Sequence, residues 1–374
     1  MKFLHLADLH LGKRLNDFSF LEDQVRLLCQ VEEIARSERA DAVLIAGDVY
    51  QKASPQSEAM AAFDQFITRL KEMGLAVFVI SGNHDSAQRI SYFSSLLKSS
   101  GVYVSEAFDG HLQQVTLQDE HGELVVSLLP FLKPIQVRRF YPDEKIETYQ
   151  DAVQAVLRHS PVDTAKRNVL VCHQFITGAE TSDSEEKTVG GLDNIDAAVF
   201  ADFDYVALGH IHKPQKCTRD TLRYAGSLMK YSFSEVNQKK SVAVVEMGEK
   251  GEVSVHIVPL NAPHDMRLVE GLMDDVLAMP YSEDYVWVTL RDELPPPDAR
   301  VTVSTVFPNM MKFSVVNSKT KTDIDVLARE AMENKSPEEL FTDFYRLQNN
   351  DCPPGPRHME ILRSLRKELE GEIR

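Results

Sequence analysis

The chain has 374 residues, enough for a large catalytic domain plus one or two smaller modules. Its composition, 43% hydrophobic and 26% charged, is that of a globular protein, and no apolar run approaches the ~20 residues of a membrane-spanning helix. The net charge of −16 argues against a chain that grips nucleic acid by itself, and four scattered cysteines without a CxxC pair predict a reduced, cytoplasmic protein with neither disulfides nor a structural zinc.

Phe3–Ala7, Ala42–Ala46 and Ala76–Ser81 read as buried strands. Between them, helical spacing over Glu22–Arg39 sets Val25, Leu28, Cys29 and Ile34 on one face, and Ser54-Pro55 predicts a second helix start with Gly74 as its stop. Strands are predicted at Leu124–Leu129, Asn168–Cys172 and Tyr205–Leu208, a helix at Tyr149–His159, and a hairpin of Ser241–Met247 with Val253–Pro259. This alternation implies a layered α/β domain over residues 1–260. After a linker at Asn261-Ala262-Pro263, residues 264–320 repeat the mixed pattern on a small scale: strand Met266–Val269, helix Met273–Met279, strand Tyr285–Leu290 and strand Lys312–Val316. Segment 322–374 reads as helical, with a capping box at Ser336-Pro337-Glu338-Glu339. Its two apolar stripes are Leu340/Phe341/Phe344/Leu347 and Ile361/Leu362/Leu365/Leu369.

Five short segments place metal-ligand side chains just after apolar runs: Asp8-Leu9-His10, Gly47-Asp48, Gly82-Asn83-His84-Asp85, His173, and Gly209-His210-Ile211-His212. Carboxyl ends of strands are where open α/β sheets form their sites. Asp8 and His10 stand two apart in what reads as an extended segment, so both side chains face one way. Carboxylate, imidazole and amide donors suit manganese, iron or zinc rather than calcium. Seven such ligands are too many for one tetrahedral site and fit two metals sharing a carboxylate, an arrangement for cutting phosphate esters. Singly, each piece is ordinary: a turn, a surface pair or a core histidine. Five in order at strand ends is hard to produce by chance. His5, His111, His121, His159, His256, His264 and His358 read as structural or solvated.

The ordered pattern D-x-H…GD…GNHD…H…GH-x-H resembles the calcineurin-like metallophosphoesterase family over roughly residues 1–260. Within it, FLHLADLHLGK, HQFITGAETSDSE (173–185), VGGLDNID (189–196) and YAGSLMKYSFSE (224–235) are similar to the nuclease subunits of bacterial SbcC–SbcD complexes, which act in DNA repair, recombination and replication. The resemblance implies a four-layer α+β sandwich, a small α+β capping domain that binds DNA, and a helical tail that docks a partner. It implies that Asp8, His10 and His212 hold one metal and Asn83, His173 and His210 the other, with Asp48 bridging. His84 would be the catalytic proton donor, and Asp85 would orient it. The cofactors implied are two Mn2+ ions, with Mg2+, Fe2+ or Zn2+ as alternatives. The activity implied is exonuclease cleavage of duplex ends and endonuclease cleavage of single strands and hairpins. The partners implied are DNA, a second copy through the nuclease domain, and an SbcC-type coiled-coil ATPase in a heterotetramer. The absence of a GxxxxGK[ST] motif fits ATP use by that partner. One departure stands out: where the family's second motif usually continues GD-x-x-D, this chain has Gln51. Lys13, Arg14, Arg89, Lys133, Arg138 and Arg139 are candidate phosphate contacts, though each reads more readily as a solvated surface charge. A small-molecule or protein phosphatase of the same superfamily is the alternative; it would need no capping module.

Overall fold

The computed structural model describes residues 1–185, 194–317, 337–348 and 353–362. The chain begins with β1 (Lys2–Leu6), a ribbon of β2 (Arg14–Leu15) and β3 (Phe18–Ser19), α1 (Leu21–Glu38), β4 (Ala42–Ala46), α2 (Ser57–Glu72) and β5 (Ala76–Ile80). Two short helices, α3 (Ala87–Ile90) and α4 (Ser94–Lys98), lead to β6 (Val102–Val104) and the hairpin of β7 (Gln113–Asp119) and β8 (Gly122–Leu129). Then come α5 (Pro134–Arg138), α6 (Tyr149–His159), β9 (Arg167–His173) and β10 (Tyr205–Gly209). Short strands β11 (Gln215–Lys216) and β12 (Leu222–Tyr224) precede the antiparallel hairpin β13 (Ser241–Met247) and β14 (Val253–Pro259).

Apart from β2 and β3, these strands form two six-stranded sheets, ordered β14-β13-β1-β4-β5-β6 and β11-β12-β10-β9-β8-β7. Strands β1, β4 and β5 run parallel in the first sheet, and β8, β9 and β10 in the second. The continuous apolar run of β4, buried at all five residues, follows from a sheet covered on both faces. Phe3, Leu44 and Phe78 of one sheet meet Val126, Val169 and Tyr205 of the other. Outside the first sheet, Val43, Ile45 and Val77 pack with Leu27, Val31 and Phe66 from α1 and α2. Outside the second, Leu170 and Val206 pack with Val153 and Val156 of α6. The result is a four-layer α/β/β/α sandwich.

Two helix expectations shift. The buried face of α1 is Asp23, Gln24, Leu27, Leu28, Val31, Glu32 and Ala35, with Val25, Cys29 and Ile34 at its margins. Three polar residues lie inside because each has a partner, so hydrophobic spacing misplaces the stripe. Helix α2 starts at Ser57 rather than Pro55, because Ser54 is engaged elsewhere: its hydroxyl accepts from Arg89 at 2.7 Å.

Beyond β14, β15 (Met266–Gly271), α7 (Met273–Leu277), β16 (Tyr285–Leu290), α8 (Ala299–Ser304) and β17 (Met310–Val315) form a βαβαβ unit with a three-stranded parallel sheet and its own core. It sits on the sandwich through Met266, Tyr285 and Met311, which join the core beneath α1. Asp23 of α1 accepts from His264 at 2.9 Å and from the Tyr285 hydroxyl at 3.1 Å. In the tail, a helix at Pro337–Gln348 contacts the helical turns at 356–362 through Tyr345 and His358. Leu340 and Phe341 are half-buried and Phe344 and Ile361 exposed; the side chain of Leu347 and residues Leu365 and Leu369 lie outside the described residues. VGGLDNID also falls mostly outside them.

Candidate metal centre

Asp8 and His10 follow β1, Asp48 follows β4, Asn83-His84-Asp85 follow β5, His173 ends β9, and His210 and His212 follow β10. All seven expected ligands and His84 therefore gather where the parallel strands of both sheets end. Glycine permits the approach at two points. A Cβ on Gly47, whose φ is +87°, would lie 2.4 Å from Nδ1 of His173, and one on Gly209 would lie 1.9 Å from the carbonyl oxygen of Ala46. Asp8 and His10 converge differently from the strand-alternation expectation. Their φ angles are +51° and +44°, so two left-handed residues, not an extended segment, turn both side chains inward. Asp48 at +50° and His210 at +101° share that region, which costs of order 1–3 kcal/mol per non-glycine residue. Four of the seven expected ligands carry this backbone strain.

The donor atoms of the expected ligands fall into two nests. In one, Nε2 of His10 and Nε2 of His212 face each other at 3.0 Å, with Asp8 close enough to share a cation. In the other, Oδ1 of Asn83 lies 3.0 Å from both Nε2 of His173 and Nδ1 of His210. Oδ2 of Asp48 stands between, 3.6 Å from Nε2 of His10 and 3.5 Å from Nε2 of His173. His84 presents Nε2 to the same oxygen from 4.0 Å. These residues fit two divalent cations: the donors are imidazole, carboxylate and amide, and in the first nest two imidazole nitrogens are aimed at one point.

The electrostatics suit proton-for-cation exchange. Burial raises the Asp8 carboxyl to about 6 against the pull of His173 and His212. Burial also opposes charge on Asp48, but His173, His10 and His84 outweigh it and hold that carboxyl well below the usual range. Burial would lower His173, yet Asp48 and Asp8 raise it to about 9. Burial and the charge on His173 push His210 down to about 3, and burial takes His10 well below its ordinary value.

Support comes from residues that motif reading missed. Gln24, fully buried, donates to the carbonyls of Leu9 and His10 at 3.0 and 2.9 Å and to the Tyr231 hydroxyl at 2.9 Å. Tyr231 lies edge-on to both His10 and His212. Ser184, Glu185, Glu235 and Lys240 back His212. Ser184, Glu185 and Glu235 lie in the TSDSE and YSFSE strings, which carried the resemblance without a role; Lys240 lies outside both. Asp85, expected to orient His84, accepts hydrogen bonds from the loop backbone. Its carboxylate takes the backbone N–H groups of Val49, Tyr50 and Gly82 at 3.1, 3.0 and 2.9 Å, clamping the β4 and β5 loops together. Nδ1 of His84 lies 3.2 Å from the Gln51 carbonyl. Because that contact is to backbone, glutamine at this position keeps it.

Of the candidate phosphate contacts, Lys13 reaches the centre. Its ammonium lies 5.1 Å from the Tyr231 ring, and burial lowers its pKa while Glu235 and Asp48 oppose that shift. Arg89 is tied to Ala53 and Ser54, and Arg14 to Asp17. Lys133, Arg138 and Arg139 are exposed.

A family model described as calcineurin-like phosphoesterase matches residues 1–214, and the chain belongs to that family. A second model, described as the type 5 capsule protein repressor C-terminal domain, matches residues 262–349. Within the class, the chain belongs with the SbcD subunits of SbcCD nucleases. It is 33% identical over 324 residues to the SbcD subunit of the SbcCD nuclease of Staphylococcus epidermidis, covering 84% of this chain and 86% of that one. It is 32% identical to the SbcD subunit of Staphylococcus saprophyticus, covering 83% and 84%. A dimetal phosphatase from Danio rerio aligns over 70% of this chain and 99% of its own at 12% identity and a TM-score of 0.42, too low to add to the fold. The chain is a metal-dependent phosphodiesterase.

Proposed function

We propose that this chain is a two-metal, manganese-dependent DNA nuclease that shortens duplex ends and cuts single strands and hairpins in repair, recombination and replication. Asp8, His10 and His212 would hold one ion and Asn83, His173 and His210 the other, with Asp48 shared between them. The observation that carries the reading is this pair of nests sharing Asp48, with Nε2 of His84 beside it. Two divalent cations bound there would lower the pKa of a water and neutralise charge on the phosphate oxygens. The chain's own residues do the rest. His84, with Nδ1 held at the Gln51 carbonyl, directs Nε2 to the phosphodiester and gives the leaving oxygen its proton. Lys13 meets a phosphate oxygen from the Tyr231 side. Asp85 keeps the His84 loop in register with Asp48.

Residues 1–260 form the nuclease domain, 264–320 a DNA-binding capping domain and 322–374 the segment that docks an SbcC-type coiled-coil ATPase. The −16 charge fits a chain that holds DNA together with that partner. A second copy pairs through the nuclease domain; Tyr92, Phe93 and Leu96, 69%, 59% and 68% exposed around α3 and α4, are the apolar surface for it. The test is purified protein with Mn2+ on single-stranded and duplex DNA, with and without the ATPase. Cleavage of both DNA forms, with duplex cutting made ATP-dependent by the partner, is expected. Turnover of phosphopeptides or cyclic nucleotides with no DNA cleavage would make it a phosphatase.

A further inference from the structure

The two nests rest on different supports. On one side, Nδ1 of His173 donates to the backbone carbonyl of Ala46 at 2.7 Å. On the other, His212 is backed by side chains. Its Nδ1 lies 2.6 Å from Oγ of Ser184, and the Ser184 hydroxyl donates to Glu235. Glu235 accepts from Nζ of Lys240 at 2.6 Å, and Nζ donates onward to the carbonyl of His212 itself at 2.8 Å. The ring of contacts thus leaves His212 through its imidazole and returns through its backbone. Glu185 closes a second arm, accepting the His212 N–H at 2.8 Å and the Ser182 hydroxyl at 2.8 Å. Glu235 is fully buried and Lys240 nearly so.

The direction of donation matters. Lys240 can only donate, so the Glu235 carboxylate accepts from it and from Ser184. With its proton committed to Glu235, Ser184 must accept from Nδ1–H of His212. That leaves the lone pair of His212 on Nε2, facing His10. His10 has no matching device among the described residues, where its buried Nδ1 finds no hydrogen-bond partner. Among the described residues, of the two imidazoles in this nest only His212 has its tautomer set by a neighbour.

We propose that Ser184, Glu235 and Lys240 are positioning residues that lock His212 in its Nδ1–H tautomer. They thereby set the affinity of the Asp8/His10/His212 nest for its cation, separately from the Asn83/His173/His210 nest. The proposal rests on the two-cation reading above. Without Ser184, Nδ1–H of His212 loses its acceptor, and the ring can move its proton to Nε2, where a cation would have to bind.

The test is titration of the full chain with Mn2+ alone, followed by electron paramagnetic resonance. Free Mn2+ counts the sites, and the spin-coupled signal reports paired occupancy. Wild type is expected to take up two ions. Ser184→Ala should keep one site unchanged and weaken the other ~10–100-fold, as loss of a residue behind a ligating histidine does. The spin-coupled signal should vanish at Mn2+ concentrations that fill the wild type, and Ser184→Thr should restore it. If the alanine variant melts early without metal, Glu235→Gln, which keeps the shape and removes the charge, carries the same test. Two unchanged sites, or equal weakening of both, would overturn the proposal. Fewer than two ions on the wild type would instead overturn the two-cation reading beneath it.

Discussion

His173 and His212 each turn Nε2 toward the centre of the pocket, and each has Nδ1 occupied, yet the second contact differs in kind. His173 ends a strand buried at every residue and leans on the peptide carbonyl of Ala46 in the facing sheet. That support exists as soon as the two sheets pack, whatever side chains surround it. His212 lies three residues past the end of β10 and leans on Ser184, 28 residues away in sequence, which leans on Glu235, a further 51 away. One nest is a consequence of the sandwich; the other depends on particular side chains delivered by separate loops. A site built this way has a fixed half and an adjustable half.

The comparison breaks most completely at the residue both halves share. Asp48→Asn should leave fewer than two Mn2+ ions per chain and reduce DNA cleavage by more than the ~10²–10⁴-fold of a lost proton donor; metal analysis with a cleavage assay checks both. His84→Gln separates chemistry from binding. Both ions should stay, and kcat should fall by about 10²–10⁴, so undiminished cutting would remove His84 from its role. Gly47→Ala strikes the fixed half first. The added Cβ would press on Nδ1 of His173, and the positive φ adds strain of order 1–3 kcal/mol. Denaturant unfolding of metal-free protein should register the loss, with the His173 nest weakened and the His212 nest kept.

The smallest effect is a pH dependence. In metal-free protein His173 holds its proton up to about 9 and Asp8 up to about 6. Bound cations must displace those protons, so Mn2+ affinity should rise from pH 6 to pH 9, by at most about tenfold per unit for each proton released, and then level off. Stability runs the other way. The His173 pKa is raised above its unfolded value, so its contribution to metal-free stability is complete below about pH 6.5 and is lost as pH rises through about 9. Melting of metal-free protein between pH 7 and 9 should follow that decline, and Mn2+ should abolish it.

Much of this was legible from the chain. Apolar runs ending in Asp, Asn or His gave every expected ligand, because a strand buried on both faces is written as an uninterrupted apolar run. Helix α6 and the β13–β14 hairpin matched their predicted limits for the same reason of strong local pattern. What spacing misjudged was backbone handedness: Asp-x-His suggested an extended pair, and two left-handed residues do the work. It also passed over Gln24, a polar residue on the buried face of α1, whose purpose appears only when Leu9, His10 and Tyr231 surround it. The Ser184–Glu235–Lys240 contacts join segments that no local window contains.

The central claim is that one pocket holds two cations across Asp48. Anomalous scattering from crystals soaked in Mn2+ tests it most directly. Two peaks ~3.5–4 Å apart are predicted, one among Asp8, His10 and His212 and one among Asn83, His173 and His210, with Asp48 touching both. A single peak, or manganese bound away from Asp48, would contradict it.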